Sequence, residues 1–138
     1  MKIYTSHSDI ETKQIAQNLA STVKQGVITL TGELGTGKTT FVQGFAKGLG
    51  IKEKIISPTF VLMRQHKIPN SNKMLFHIDL YRLKDTSQIK NLGIEELVND
   101  SNSLILIEWA EKLKDLPEDT VNVFIERKEG DERLITIS

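Results

Sequence analysis

The stretch with the clearest chemical potential is Gly32-Glu33-Leu34-Gly35-Thr36-Gly37-Lys38-Thr39. It fits G-x-x-x-x-G-K-[ST], the phosphate-binding loop. A phosphate chain is wrapped by backbone N–H groups, and a side chain in the wrong place would hold the backbone away. Gly32, Gly35 and Gly37 remove Cβ atoms where the chain must turn and approach the anion. A helix starting near Lys38 would aim its unsatisfied N–H groups and its dipole at the phosphates. In that arrangement Lys38 reaches the β and γ phosphates, and the Thr39 hydroxyl takes a place on Mg²⁺. The expected nucleotide-binding stretch is therefore Glu33, Leu34, Gly35, Thr36, Gly37, Lys38, Thr39 and Thr40. At ordinary residue frequencies, the pattern arises by accident in about half a percent of chains this long.

The flanks supply the elements such a loop needs. Val27-Ile28-Thr29-Leu30-Thr31 reads as a strand leading in. After the loop, Phe41, Val42, Phe45, Ala46 and Leu49 recur with helical spacing, and Gly48 to Gly50 end the stripe. Upstream, Lys2 to Thr5 reads as a short edge strand. Ser8-Asp9-Ile10-Glu11 is a capping box for a helix running to about Val23. Downstream, Pro58 forbids a helix in Ser57-Pro58-Thr59-Phe60. Thr59 to His66 and Lys73 to Leu80 read as strands of an antiparallel hairpin turning at Pro69 to Asn72. Asp85 to Asp100 holds helical pieces interrupted at Gly93. Leu104 to Ile107 is the unbroken apolar run of a strand buried on both faces. Val121 to Glu126 and Arg133 to Ile137 form a terminal hairpin around Lys128 to Asp131. The expected fold is an α/β, single P-loop NTPase domain over residues 1–138. Its central sheet is partly parallel, around Val27–Thr31 and Leu104–Ile107, with added antiparallel strands and helices on both faces.

A phosphate loop also needs an acid near Mg²⁺, at the end of a strand beside the loop strand. Glu108 and Asp79 both stand at strand ends. Either can bind Mg²⁺ directly, hold it through water, or orient the attacking water. Trp109, beside Glu108, suits stacking near the site and core packing equally. Ser57 and Thr59 sit where a γ-phosphate sensor is often placed, though a turn around Pro58 explains them as well. Arg82 suits a phosphate ligand or a solvated ion pair, and His77 reads as a structural histidine.

Composition narrows the class. Lysine plus arginine and aspartate plus glutamate number 18 each, so no global field draws in nucleic acid or membrane. With no cysteine there is no disulfide, thiolate metal site or Cys nucleophile, which fits a reducing, cytoplasmic setting. The first residues have no apolar signal core, and no 18-residue apolar run occurs. Guanine-reading N-K-x-D is absent, since Asn72-Lys73-Met74-Leu75 lacks the acid. No D-x-x-G follows Asp79 either. ATP or ADP is thus the expected nucleotide.

Four blocks stand in a recognisable order: the loop through Thr40, Ser57-Pro58-Thr59-Phe60, His77-Ile78-Asp79-Leu80-Tyr81-Arg82-Leu83, and Ile107-Glu108-Trp109. From Ile15 to about Ile125 the chain resembles the TsaE (YjeE) family, bacterial ATPases of tRNA threonylcarbamoyladenosine biosynthesis. The resemblance implies that Lys38 and Thr39 bind phosphate and Mg²⁺. It implies Glu108 as the Mg²⁺-side acid, Asp79 as a catalytic acid, and Trp109 close to the nucleotide. The catalytic set is then Asp79, Glu108 and Lys38, with Thr39 and Glu108 on the metal. It also implies an ATPase that is weak alone and works with the threonylcarbamoyl-transferase pair, of TsaB and TsaD type, meeting tRNA only indirectly and no membrane. Two other readings start from the same loop: a small-molecule kinase using Asp79 as base, and a nucleotide-dependent binding module that does not hydrolyse.

Overall fold

The computed structural model describes residues 1–138 other than 24, 34, 57–61, 84–92 and 114. Strand β1 (Lys2–Ser6) leads into helix α1 (Asp9–Thr22) through the expected cap. The Glu11 N–H donates to Ser8 Oγ at 3.1 Å. The return bond goes one residue further back than in a reciprocal capping box: the His7 N–H donates to Glu11 Oε2 at 3.3 Å. Strand β2 (Gly26–Thr31), the loop and helix α2 (Lys38–Gly48) follow as the flanking patterns require. Strands β3 (Met63–Lys67) and β4 (Met74–Asp79) then form the hairpin. Of the strand expected over Thr59 to His66, the start lies outside the described residues, as do most of the helical pieces expected from Asp85. Helix α3 (Ile94–Val98), β5 (Ser103–Glu108), a 3₁₀ turn (Ala110–Lys112), β6 (Val121–Arg127) and β7 (Arg133–Ile137) complete the order.

The strands make a seven-stranded sheet in the order β1-β7-β6-β2-β5-β4-β3. The parallel centre is wider than expected. β2 runs parallel to both β5 and β6, and β4 runs parallel to β5. Parallel strands need a connection that returns to the starting end, and residues 109–120 provide one from β5 to β6, which lie on either side of β2. Antiparallel pairing is confined to the flanks, where β3 joins β4, β7 joins β6 and β1 joins β7. The sheet is covered on both faces. Helices α1 and α2 cover Ile28, Leu30, Leu104, Leu106, Val123 and Ile125. Helix α3 and the 3₁₀ turn cover Val27, Phe76, Ile78, Ile105 and Ile107. Every residue of β5 is buried, as its apolar run implies.

Helix α2 is held in place by close contact with α1. A Cβ added at Gly44 would lie 2.5 Å from Lys13 Cα, and one at Gly48 would lie 2.9 Å from Ala20 Cβ. Phe41 and Phe45, on the same helix, are fully buried against the sheet. The N-terminus of α2 is thereby fixed over the end of β2.

An exposed helical glycine replaced by alanine usually gains about 1 kcal/mol. At Gly44 the added methyl has no room, and overpacking costs about 1–3 kcal/mol. Gly44→Ala is therefore expected to lower the urea midpoint. A raised midpoint would mean that the helices separate freely.

Candidate active site

The loop is shaped at its ends by backbone that favours glycine. Gly32 has φ 142°, and a Cβ there would lie 2.4 Å from the Ile125 carbonyl oxygen, so the chain passes tightly over β6. Gly37 has φ 104° and forms the N-cap of α2 without any side-chain cap. The first N–H groups of α2 are therefore left for whatever lies beyond the helix end. Thr36 is buried, and its hydroxyl donates to the Glu33 carbonyl at 2.9 Å, closing the loop on itself. Arg133, at the start of β7, holds the outside of the loop. Its Nε donates to the Thr36 carbonyl at 3.0 Å, and its Nη1 donates to the Gly130 and Glu132 carbonyls at 3.1 Å.

Lys38 folds back over this loop. Its Nζ donates to the Gly32 carbonyl at 2.5 Å and to the Glu33 carbonyl at 3.0 Å. The same ammonium lies 4.1 Å from the centre of the Trp109 ring. Burial pulls the Lys38 pKa below its ordinary value, while Glu108, Glu111 and Asp79 pull it back up.

The two acids arrive by strand register. Asp79 pairs with Glu108 across the parallel β4–β5 ladder. Alternation puts them on the sheet face that α2 covers, with Leu75 and Leu106. The strand of Asp79 is not beside the loop strand, contrary to the sequence expectation: β5 lies between β4 and β2. Asp79 reaches the site because the hairpin adds a further parallel strand in register. Each acid has its own donor. The Tyr81 N–H donates to Asp79 Oδ1 at 2.9 Å. His77 Nε2 lies 2.6 Å from Glu108 Oε2, with both side chains buried. Sequence reasoning took His77 as a structural histidine; the structure buries it with one ring nitrogen on Glu108.

Trp109 follows Glu108 in left-handed backbone, φ 61° and ψ 41°. That conformation is costly for a bulky residue and concentrates at functional sites. Its N–H donates to the Leu30 carbonyl at 3.2 Å, tying the end of β5 to the end of β2. Its ring meets Tyr81 at 5.0 Å between centroids, tilted by 39°.

Most of the expected site residues line one cavity of about 500 Å³. Gly35, Gly37, Lys38, Thr39 and Thr40 form one wall, and Asp79, Glu108 and Trp109 form another. Glu33 lies elsewhere, on a separate hollow that it shares with Trp109, Glu111 and Phe124. Thr36 is turned to the loop's own bonding. Leu34, Ser57 and Thr59 lie outside the described residues. Sequence reasoning missed Asp9, Tyr81 and Arg133, which also line the cavity; Arg82, weighed as a phosphate ligand or a solvated ion pair, lines it too. The signal for Arg133 was long-range: only the pairing of β7 with β6 brings it to the loop.

Residues 6–135 match the sequence family described as threonylcarbamoyl adenosine biosynthesis protein TsaE. The chain belongs to the TsaE family. The family is one of tRNA threonylcarbamoyladenosine biosynthesis proteins, and the match extends beyond the Ile15 to Ile125 span of the sequence resemblance. The TsaE protein of Bacillus subtilis is 41% identical over 130 residues, covering 93% of this chain and 79% of its own length. That of Rickettsia conorii is 41% identical over 138 residues, covering 98% and 77%. Among solved structures, the crystal structure of Bacillus subtilis YdiB superposes with a TM-score of 0.81 at 35% identity, covering 99% of this chain and 83% of that one. The α/β architecture is that of this neighbour. Among the described residues, no helix is long and apolar enough to cross a membrane.

Trp109 is the single tryptophan, so its emission reports one place. Removing the ammonium from its ring face with Lys38→Met is expected to change the emission of the nucleotide-free protein. An unchanged spectrum in a folded variant would mean that ring and ammonium do not meet in solution.

Proposed function

We propose that this TsaE-family protein binds ATP with Mg²⁺ and hydrolyses it slowly, in the cytoplasm, as the nucleotide-dependent component of tRNA threonylcarbamoyladenosine formation. The observation that carries the reading is the convergence on one cavity of an uncapped helix N-terminus, the Lys38 ammonium and two strand-end carboxylates. In it, the backbone N–H groups of the loop and of α2 hold the phosphates, and Lys38 adds charge to the β and γ groups. The donor chemistry suits Mg²⁺. Thr39 and Glu108 offer oxygen ligands, and among the described residues no cluster of three or more acids and histidines forms a ready cage. Mg²⁺ is commonly held by one or two protein oxygens together with substrate phosphates. When bound, it would neutralise charge developing on the phosphates. Asp79 orients the attacking water from the strand next to Glu108.

Water exclusion and a cation above the transferring phosphate come from a partner in this reading. Arg133 is committed to three loop and hairpin carbonyls, so it latches the loop rather than reaching across the cavity. A finger arginine in trans is worth on the order of a thousandfold or more in turnover. The partner we propose is the threonylcarbamoyl-transferase pair of TsaB and TsaD type. That pair also supplies the tRNA contact, because this chain has zero formal net charge.

Lys38→Ala is expected to weaken Mg·ATP binding by about 1.5–3 kcal/mol in calorimetric titration. Wild-type affinity would sink the phosphate-loop assignment. Asp79→Asn is expected to keep ATP binding and lose kcat with little change in KM. The partner arm is tested by measuring ATP hydrolysis and co-elution with and without the transferase pair. Full turnover by the isolated protein, with no binding or stimulation by the pair, would overturn the partner-completed site.

A further inference from the structure

The histidine behind Glu108 has a role that neither the family match nor the loop motif assigns. His77 is completely buried on β4. Its register partner on β5 is Leu106, so Glu108 is its diagonal neighbour on the same sheet face. A glutamate is long enough to bend back from the strand end and meet it, and the Nε2 to Oε2 distance is 2.6 Å. The geometry assigns the ring hydrogen to Nε2, since a carboxylate oxygen can only accept. The other ring nitrogen, Nδ1, is buried with no hydrogen-bond partner. A bare lone pair there costs less than an orphaned N–H, which again places the hydrogen on Nε2.

A buried imidazole with one nitrogen unpartnered is a poor choice if the site needs only filling. Phenylalanine or leucine would pack there without an unsatisfied atom. What histidine adds is a rigid donor at a fixed depth behind the carboxylate. Among the described residues, no other side chain bonds to Glu108.

We propose that His77 is a positioning residue for Glu108. Its Nε2–H holds one carboxylate oxygen at the back of the cavity, so that the second is presented to a divalent cation. The inference rests on the reading of Glu108 as a metal-side acid and goes beyond it by naming what fixes that acid. It also explains the H-x-D spacing on β4. Period-two alternation puts His77 and Asp79 on one face. Asp79 serves the cavity directly, and His77 serves it through the neighbouring strand.

The test is calorimetric titration of ADP, in EDTA and across a series of Mg²⁺ concentrations. It compares the wild type with His77→Ala, His77→Gln and Glu108→Ala. The Mg²⁺ concentration giving half of the effect on ADP affinity is expected to rise about 10- to 100-fold in His77→Ala, the usual cost of losing such a supporting hydrogen bond. ADP affinity in EDTA is expected to stay at the wild-type level. His77→Gln, whose amide can donate, is expected to recover most of the shift. If His77→Ala does not fold, His77→Leu replaces it and is judged by the same readings. An unshifted Mg²⁺ dependence in His77→Ala beside a shifted one in Glu108→Ala would overturn the role of His77 alone. Equal weakening with and without Mg²⁺, or no recovery in His77→Gln, would reduce His77 to a packing residue. An unshifted Glu108→Ala would remove the metal-side reading itself.

Discussion

A buried ammonium is costly unless its hydrogens and its charge are answered, and Lys38 is only 6% exposed. Much of the local architecture answers it. Two of its hydrogens go to the Gly32 and Glu33 carbonyls, which fixes how the loop leaves β2. The Trp109 ring lies against it, from a residue in left-handed backbone just after β5. Glu108, Asp79 and Glu111 supply compensating charge. Strand, loop, helix and the neighbouring strand end are therefore tied together through one side chain. Among the described residues no third acceptor engages the ammonium, so a hydrogen remains for an anion in the cavity.

What could be read in the sequence was what depends on local spacing. The strand before the loop, the capped α1, the buried β5 and the two hairpins follow from periodicity and turn chemistry within a few residues. Lys38, Thr39, Asp79 and Glu108 were legible because each sits at a fixed offset from such an element. What was hidden depends on pairing between distant segments. That β5 separates β4 from β2 is a fact of strand order, which spacing along the chain does not encode. Arg133 meets the loop only because β7 folds back on β6. The backbone of Trp109 is set by its bond to Leu30, on a strand far earlier in the chain.

The C-terminal hairpin is for this reason more than an edge of the sheet. Gly32 passes close to the Ile125 carbonyl on β6, and Arg133 on β7 holds the Thr36 carbonyl. The loop is thus held at both of its ends by a segment that follows it by roughly a hundred residues. On the other side, close contact between α1 and α2 fixes the helix onto which the loop opens. A loop built for close approach to an anion cannot carry much side-chain packing of its own, so its shape must come from its neighbours.

The same reasoning bears on the two acids. Asp79 and Glu108 are register partners on adjacent parallel strands, so two like charges stand close together in a buried place. Left to themselves they would turn apart. The fold instead holds each with a different donor. Asp79 is short and is fixed by the backbone turn at Tyr81, so its orientation depends on the loop that follows β4. Glu108 is long and is fixed by a buried ring in the middle of the sheet, so its orientation depends on the core. In the reading proposed above, the metal-side acid is thus held by the core and the water-side acid by the turn after β4, so the two roles rest on separate supports.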